Sequence, residues 1–322
     1  MSRGLGDVYK RQTLRNLRFK MSPKYEKLFD EEIKEFIRIS QSFAQEHVGD
    51  SVEKLRQNYN EMVKHFRQVR PPNVQVEDKK VAFKERSLIY RQYSTGTENK
   101  SDLIYFHGGG FVVGGLESHD DICAEICEST GCDVFSLDYS LAPEVKYPEF
   151  FLDAIRFYYF IKNPERRLIL VGDSAGGTLA GFVANKVRNV SIRPEAQVLI
   201  YPDLAGEISG ANKRKFYDAP LLTQDDIDFY HKCAGLPLKM GLHDLIRNFD
   251  NDNMPKTLLV SAEIDPLADD CQFYVESLKQ YGCDITYLEG LGLPHGFLRA
   301  RHLSKKARIV FDEIIRFINQ TI

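Results

Sequence analysis

No stretch of the sequence approaches the roughly 18 apolar residues that a membrane-spanning helix requires, and the first residues lack the apolar core of a secretory leader. Both absences predict a cytoplasmic protein with no membrane partner. Nor does one sign of charge dominate. The 43 Lys and Arg stand against 46 Asp and Glu, a net charge of −3, which provides no general attraction to nucleic acid or acidic lipid. The six cysteines include no CxxC pair and no histidine at zinc-ligand spacing. Buried free thiols are therefore expected, rather than a metal site or a disulfide framework. Internal repeats and low-complexity tracts are missing, and no glycine-rich loop ends in the Gly-Lys-Ser/Thr of a phosphate-binding loop.

What is present is 322 residues, 43% hydrophobic and 28% charged, enough for one large domain with an attached cap. Residues 1–20 show no apolar period, and their GLGDVYKRQ resembles translated adapter read-through of the kind found in assembled environmental DNA. They are expected to be a non-native or disordered extension ahead of a native start at Met21. Over 21–75, Ile33, Phe36, Ile37 and Phe43, then Leu55, Tyr59, Met62 and Phe66, recur at helical spacing and predict two amphipathic cap helices before Pro71-Pro72. From 76 to 322, short β-branched runs alternate with helical stretches, the pattern of a mostly parallel sheet covered on both faces. The stretch from about 203 to 253 breaks that rhythm with helical pieces such as Thr223–Ala234 and is read as a cap insertion.

The apolar run Leu168–Val171 leads into Gly172-Asp173-Ser174-Ala175-Gly176-Gly177 and then into a helical segment. Strand, G-x-S-x-G and helix together are the setting of a nucleophile elbow, which makes Ser174 the candidate nucleophile. A second glycine cluster, His107-Gly108-Gly109-Gly110-Phe111, ends the strand Asp102–Phe106. Backbone N–H groups of Gly108, Gly109 and Ala175 are the expected oxyanion hole. His107 is expected to hold that loop through a ring hydrogen bond. A serine needs a base and an orienting acid, and the order Ser, Asp, His is met by Ser174, Asp265 and His295. Asp265 follows the run Thr257–Val260, with Glu263, Asp269 and Asp270 as neighbours, and the last two are expected in a solvated first helical turn. His295 follows the last strand, beside Gly296.

HGGGF at His107–Phe111, DYSLAPE at Asp138–Glu144, GDSAGG at Gly172–Gly177, DPL at Asp265–Leu267 and HGF at His295–Phe297 together resemble the hormone-sensitive-lipase-type carboxylesterase family of α/β-hydrolases. The resemblance runs in order from about Val76 to the C-terminus. It implies the α/β-hydrolase fold, an eight-stranded mostly parallel sheet flanked by helices, with a helical cap. It further implies hydrolysis of small-molecule carboxylic esters through an acyl-enzyme, with no metal or organic cofactor, and short acyl chains are expected from a small cap. Ser140 stands where the family motif commonly carries arginine, which leaves the local ion pairing open. Tyr25, Phe29, Phe216, Tyr217, Phe229 and Tyr230 are candidates to line the pocket or simply to pack the cap. An amidase or peptidase using the same triad, and a non-catalytic binding relative, are the competing readings. A monomer or a homodimer fits the sequence equally.

Overall fold

Strand β3 (Ser101–Phe106) is buried at every position, because covered layers lie on both of its faces. Its alternate residues enter two different cores: Leu103 and Tyr105 join one cluster, Ile104 and Phe106 the other. The computed structural model describes residues 21–43, 51–84, 86–96, 101–204, 215–237, 241–247 and 251–322. The expected 1–20 extension lies outside them.

Among the described residues one sheet contains β1 (Gln75–Ala82), β2 (Ser87–Ser94), β3, β4 (Asp133–Asp138), β5 (Arg167–Asp173), β6 (Ala196–Ile200), β7 (Lys256–Ile264) and β8 (Ile285–Pro294). Its order is β1-β2-β4-β3-β5-β6-β7-β8. Only β2 runs against its neighbours; every pairing from β4 to β8 is parallel. The fold is that of an α/β hydrolase.

Helices α1 (Pro23–Glu26), α2 (Glu31–Phe43) and α3 (Val52–Phe66) precede the sheet. Ile33, Phe36 and Ile37 of α2 are buried in the first core, as the apolar spacing predicts. α4 (Asp120–Thr130) and α9 (Lys305–Thr321) cover the face that receives Tyr105. α5 (Glu149–Ile161), α6 (Ala175–Val187) and α8 (Ala268–Gln280) cover the face that receives Phe106. Within the stretch 203–253, the described residues contain α7 (Gln224–Ala234) and no strand. Thr223 and Asp226 form its capping box, and Gly235 ends it at φ 68°.

β7 and β8 run several residues further than their apolar cores suggest. Pairing continues through Ala262 with Gly290, shifts register, and resumes at Ile264 with Pro294. Three residues of β8 therefore face one residue of β7, a bulge. The Gly292 N–H within it donates to Glu263 Oε2 at 2.6 Å. Because Ile264 and Pro294 are partners, the residues that follow them, Asp265 and His295, leave the sheet side by side.

Position 140 also resolves into local physics. Ser140 carries no cation, and Glu144 is gripped from α3 by both terminal guanidinium nitrogens of Arg56, each at 2.7 Å. Arg56 also donates to the carbonyls of Val112 and Ala142, each at 2.8 Å. All six cysteines are free thiols.

Candidate active site

β5 ends at Asp173, and Ser174 turns the chain into α6 with φ 52° and ψ −125°, a backbone region that costs a non-glycine residue about 1–3 kcal/mol. The flanking glycines have a steric cause. A Cβ on Gly172 would lie 2.2 Å from the Gly176 carbonyl oxygen, and one on Gly176 would lie 1.9 Å from that of Phe106. No side chain fits at either place, so the motif is a packing requirement of the elbow.

At the tip of this turn, Ser174 Oγ lies 2.9 Å from His295 Nε2, and His295 Nδ1 lies 2.6 Å from Asp265 Oδ2. The second oxygen of Asp265 accepts the Leu267 N–H at 2.9 Å, which fixes the carboxylate's rotation. The Tyr201 ring packs 4.7 Å from the imidazole and limits its tilt. Glu263 is committed to Gly292. Asp270, expected in a solvated turn, is buried, because that turn of α8 packs inward beside Cys271 and Tyr274.

His107 Nδ1 donates to the Gly108 carbonyl at 2.9 Å, and its ring stacks on Tyr139 at 4.2 Å. Burial, reinforced by His119, holds its imidazole down to about 3, so it stays neutral. Gly108 requires a correction as an oxyanion donor. Its N–H is taken by Asp173 Oδ1 at 3.0 Å, and it is not among the residues that line the cavity. Gly109, Gly110 and Ala175 are, and their N–H groups make no hydrogen bond among the described residues. The ring of Tyr230 on α7 covers Gly110 so closely that a Cβ there would lie 2.4 Å from it.

Asp173 was missed by motif reading, although a carboxylate closing an apolar strand is itself a signal. It accepts from Tyr105 Oη at 2.9 Å as well as from Gly108, and His119 Nε2 lies 3.3 Å from its other oxygen. Burial alone would raise its pKa, but His119, Arg299 and Tyr105 outweigh that and hold the carboxyl well below the usual range. Arg299 donates to the Ser118 carbonyl at 2.8 Å and to Tyr59 Oη at 2.6 Å. A buried chain of polar groups thus joins the elbow, the glycine loop and α3. On the opposite side, His231 of α7 meets Asp203 at 2.5 Å.

These elements enclose one cavity of about 490 Å³ over Ser174, within the range of small-molecule sites. Of the six candidate aromatics, Tyr25 and Tyr230 line it. Phe29 and Phe216 pack into the core, while Tyr217 and Phe229 are exposed. No group of three or more metal-ligating side chains occurs among the described residues, and no helix there is long and apolar enough to cross a membrane.

Sheet order, elbow and cavity define an α/β hydrolase. A family profile described as alpha/beta hydrolase fold matches residues 103–299, more than half of the chain, and the chain belongs to that family, among its hormone-sensitive-lipase-type carboxylesterases. An acetyl esterase of Salmonella paratyphi A is 31% identical over 237 residues, covering 70% of this chain and 72% of its own. An ethyl acetate hydrolase of Pseudomonas putida is 31% identical over 218 residues, 64% of this chain and 68% of its own. Lipase 2 of a Moraxella species is 29% identical over 65% of this chain, which spans 58% of that relative's length. A hyperthermophilic esterase of the archaeon Pyrobaculum calidifontis superposes with a TM-score of 0.82 over 91% of this chain and 98% of its own, at 26% identity.

Proposed function

We propose that this chain is a serine carboxylesterase that hydrolyses small-molecule esters through an acyl-enzyme. The observation that carries the reading is the continuous relay from Ser174 Oγ through His295 to Asp265. Ser174 attacks the ester carbonyl while His295 Nε2 takes its proton, and Asp265 stabilises the resulting imidazolium. The oxyanion receives N–H groups from Gly109, Gly110 and Ala175 at the start of α6, whose dipole favours negative charge. His295 then returns the proton to the leaving alcohol, and water attacks the acyl-enzyme through the same base. Helices α1–α3 and α7 act as the cap that shields this chemistry from bulk water.

The acetyl esterase and ethyl acetate hydrolase relatives support short acyl groups, with the remaining cavity volume available to the alcohol part. Turnover of p-nitrophenyl esters of graded chain length tests the reading, together with Ser174→Ala and labelling by a fluorophosphonate. Ester turnover that drops by at least about 10⁴-fold in Ser174→Ala is the expected result. Unchanged activity in that variant, or amides cleaved faster than matched esters, would overturn it.

A further inference from the structure

One wall of the cavity belongs to α2 and α3, and it is not uniformly apolar. Phe36, Phe43, Leu55 and Met62 supply apolar surface, but Ser40, Gln41 and Asn58 stand among them. Ser40 is only 4% exposed. Its hydroxyl, the Gln41 side-chain carbonyl and the Asn58 side-chain amide nitrogen are all buried without a hydrogen-bond partner among the described residues. An unpartnered buried polar atom is costly, and natural interiors contain few of them. Three on one wall of one cavity call for a partner that enters with the substrate.

We infer that Ser40, Gln41 and Asn58 form a polar subsite selecting esters whose acyl or alcohol chain carries a neutral hydroxyl at its far end; the inference rests on the ester-hydrolase reading above. The donor and acceptor types fit that group. An amide nitrogen donates to the hydroxyl oxygen, a carbonyl accepts its proton, and Ser40 can do either. Charge is excluded as the recognised feature because none of the three is ionisable and the charged groups nearby are committed. Arg299 is bound to Ser118 and Tyr59. The Asp218 carboxylate is bound to Lys24 and Tyr25. A hydroxylated chain reaching this wall replaces its lost water contacts, whereas a methyl-ended chain leaves three polar atoms unpaired, the asymmetry that gives polar pockets their discrimination.

Two matched pairs test this: p-nitrophenyl ω-hydroxyhexanoate against p-nitrophenyl heptanoate, and ω-hydroxyhexyl acetate against heptyl acetate, with p-nitrophenyl acetate as reference. In the unaltered protein the hydroxylated member of at least one pair should be preferred about tenfold in kcat/KM, the effect of one or two net hydrogen bonds. The ratio should fall to about one, or reverse, when Ser40→Ala and Asn58→Leu are combined. Reading ratios within each protein makes the result independent of how much of a variant folds. A methyl-ended preference in both pairs overturns the subsite, as does a hydroxyl preference that the variants leave unchanged while their Tm rises. Failure to hydrolyse even p-nitrophenyl acetate would instead overturn the esterase reading on which the subsite depends.

Discussion

The Gly108 N–H donates to Asp173 Oδ1 at 3.0 Å, so the residue before Ser174 holds the loop that faces it. Gly109 and Gly110, two of the proposed oxyanion donors, follow β3, while Ser174 and Ala175 follow β5, and this carboxylate ties the two segments together. Asp173→Asn preserves shape but removes the charge facing His119 and Arg299. We expect kcat to fall about 10- to 100-fold with KM nearly unchanged, since a misplaced donor array weakens transition-state binding selectively. Asp173→Ala should also cost about 1–3 kcal/mol of stability for each buried donor left unsatisfied, Tyr105 Oη and the Gly108 N–H. Steady-state kinetics beside urea unfolding separate the two effects.

His107 makes stability depend on pH. Its folded-state pKa is depressed from 6.5 to about 3, first by burial and then by His119. Between those values the unfolded chain binds a proton that the folded chain does not. This contribution is therefore complete above pH 6.5 and declines by about 1.4 kcal/mol per unit as pH falls toward 3. Asp173, also depressed, acts in the same direction in stronger acid: its contribution is present above the ordinary carboxylate range and is lost as pH falls through its folded value. Urea unfolding between pH 4 and 7 should show a shallower slope for His107→Asn, whose amide can still donate to the Gly108 carbonyl.

Gly110 lies at φ 59° under the Tyr230 ring. In Gly110→Ala the new methyl must displace either the glycine loop or α7, and kcat/KM should drop by about 100-fold, comparable to losing one oxyanion donor. Adding Tyr230→Ala removes the collision but not the backbone strain, so it should restore part of the loss. No recovery in the double variant would place the whole effect in the backbone.

Arg56 joins α3 to the catalytic body by two kinds of bond. The Glu144 side chain is 58% exposed, so that pair contributes at most about 1 kcal/mol. The Val112 and Ala142 carbonyls are the more sheltered partners. Arg56→Ala should therefore destabilise by about 2 kcal/mol and Glu144→Gln by less than half as much. Equal losses in thermal unfolding would contradict this division.

The sheet, its helices and the Ser174, Asp265, His295 constellation were legible because each rests on local pattern: an apolar run, a glycine that nothing else can replace, a fixed chain order. What was not legible depends on contacts between distant segments. Gly108 and Gly109 look alike in HGGG, and only the carboxylate 65 positions away distinguishes them. Arg56 gives no sign in α3 that it pairs with Glu144, 88 positions away. Asp270 reads as a surface helix start until the packing of α8 is known. The full lengths of β7 and β8 do not show in the sequence because Glu263, Gly290 and Gly292 interrupt apolar alternation at the point where the bulge forms.

That bulge acts as a ruler. With Ile264 opposite Pro294 and the Gly292 N–H held by Glu263, the spacing of Asp265 and His295 is measured along a hydrogen-bonded ladder. Residues 268–284, the whole of α8 and its return turn, take no part in that measurement. The loss of one residue between Gly290 and Pro294, by contrast, would shift His295 relative to Asp265 and break their 2.6 Å contact.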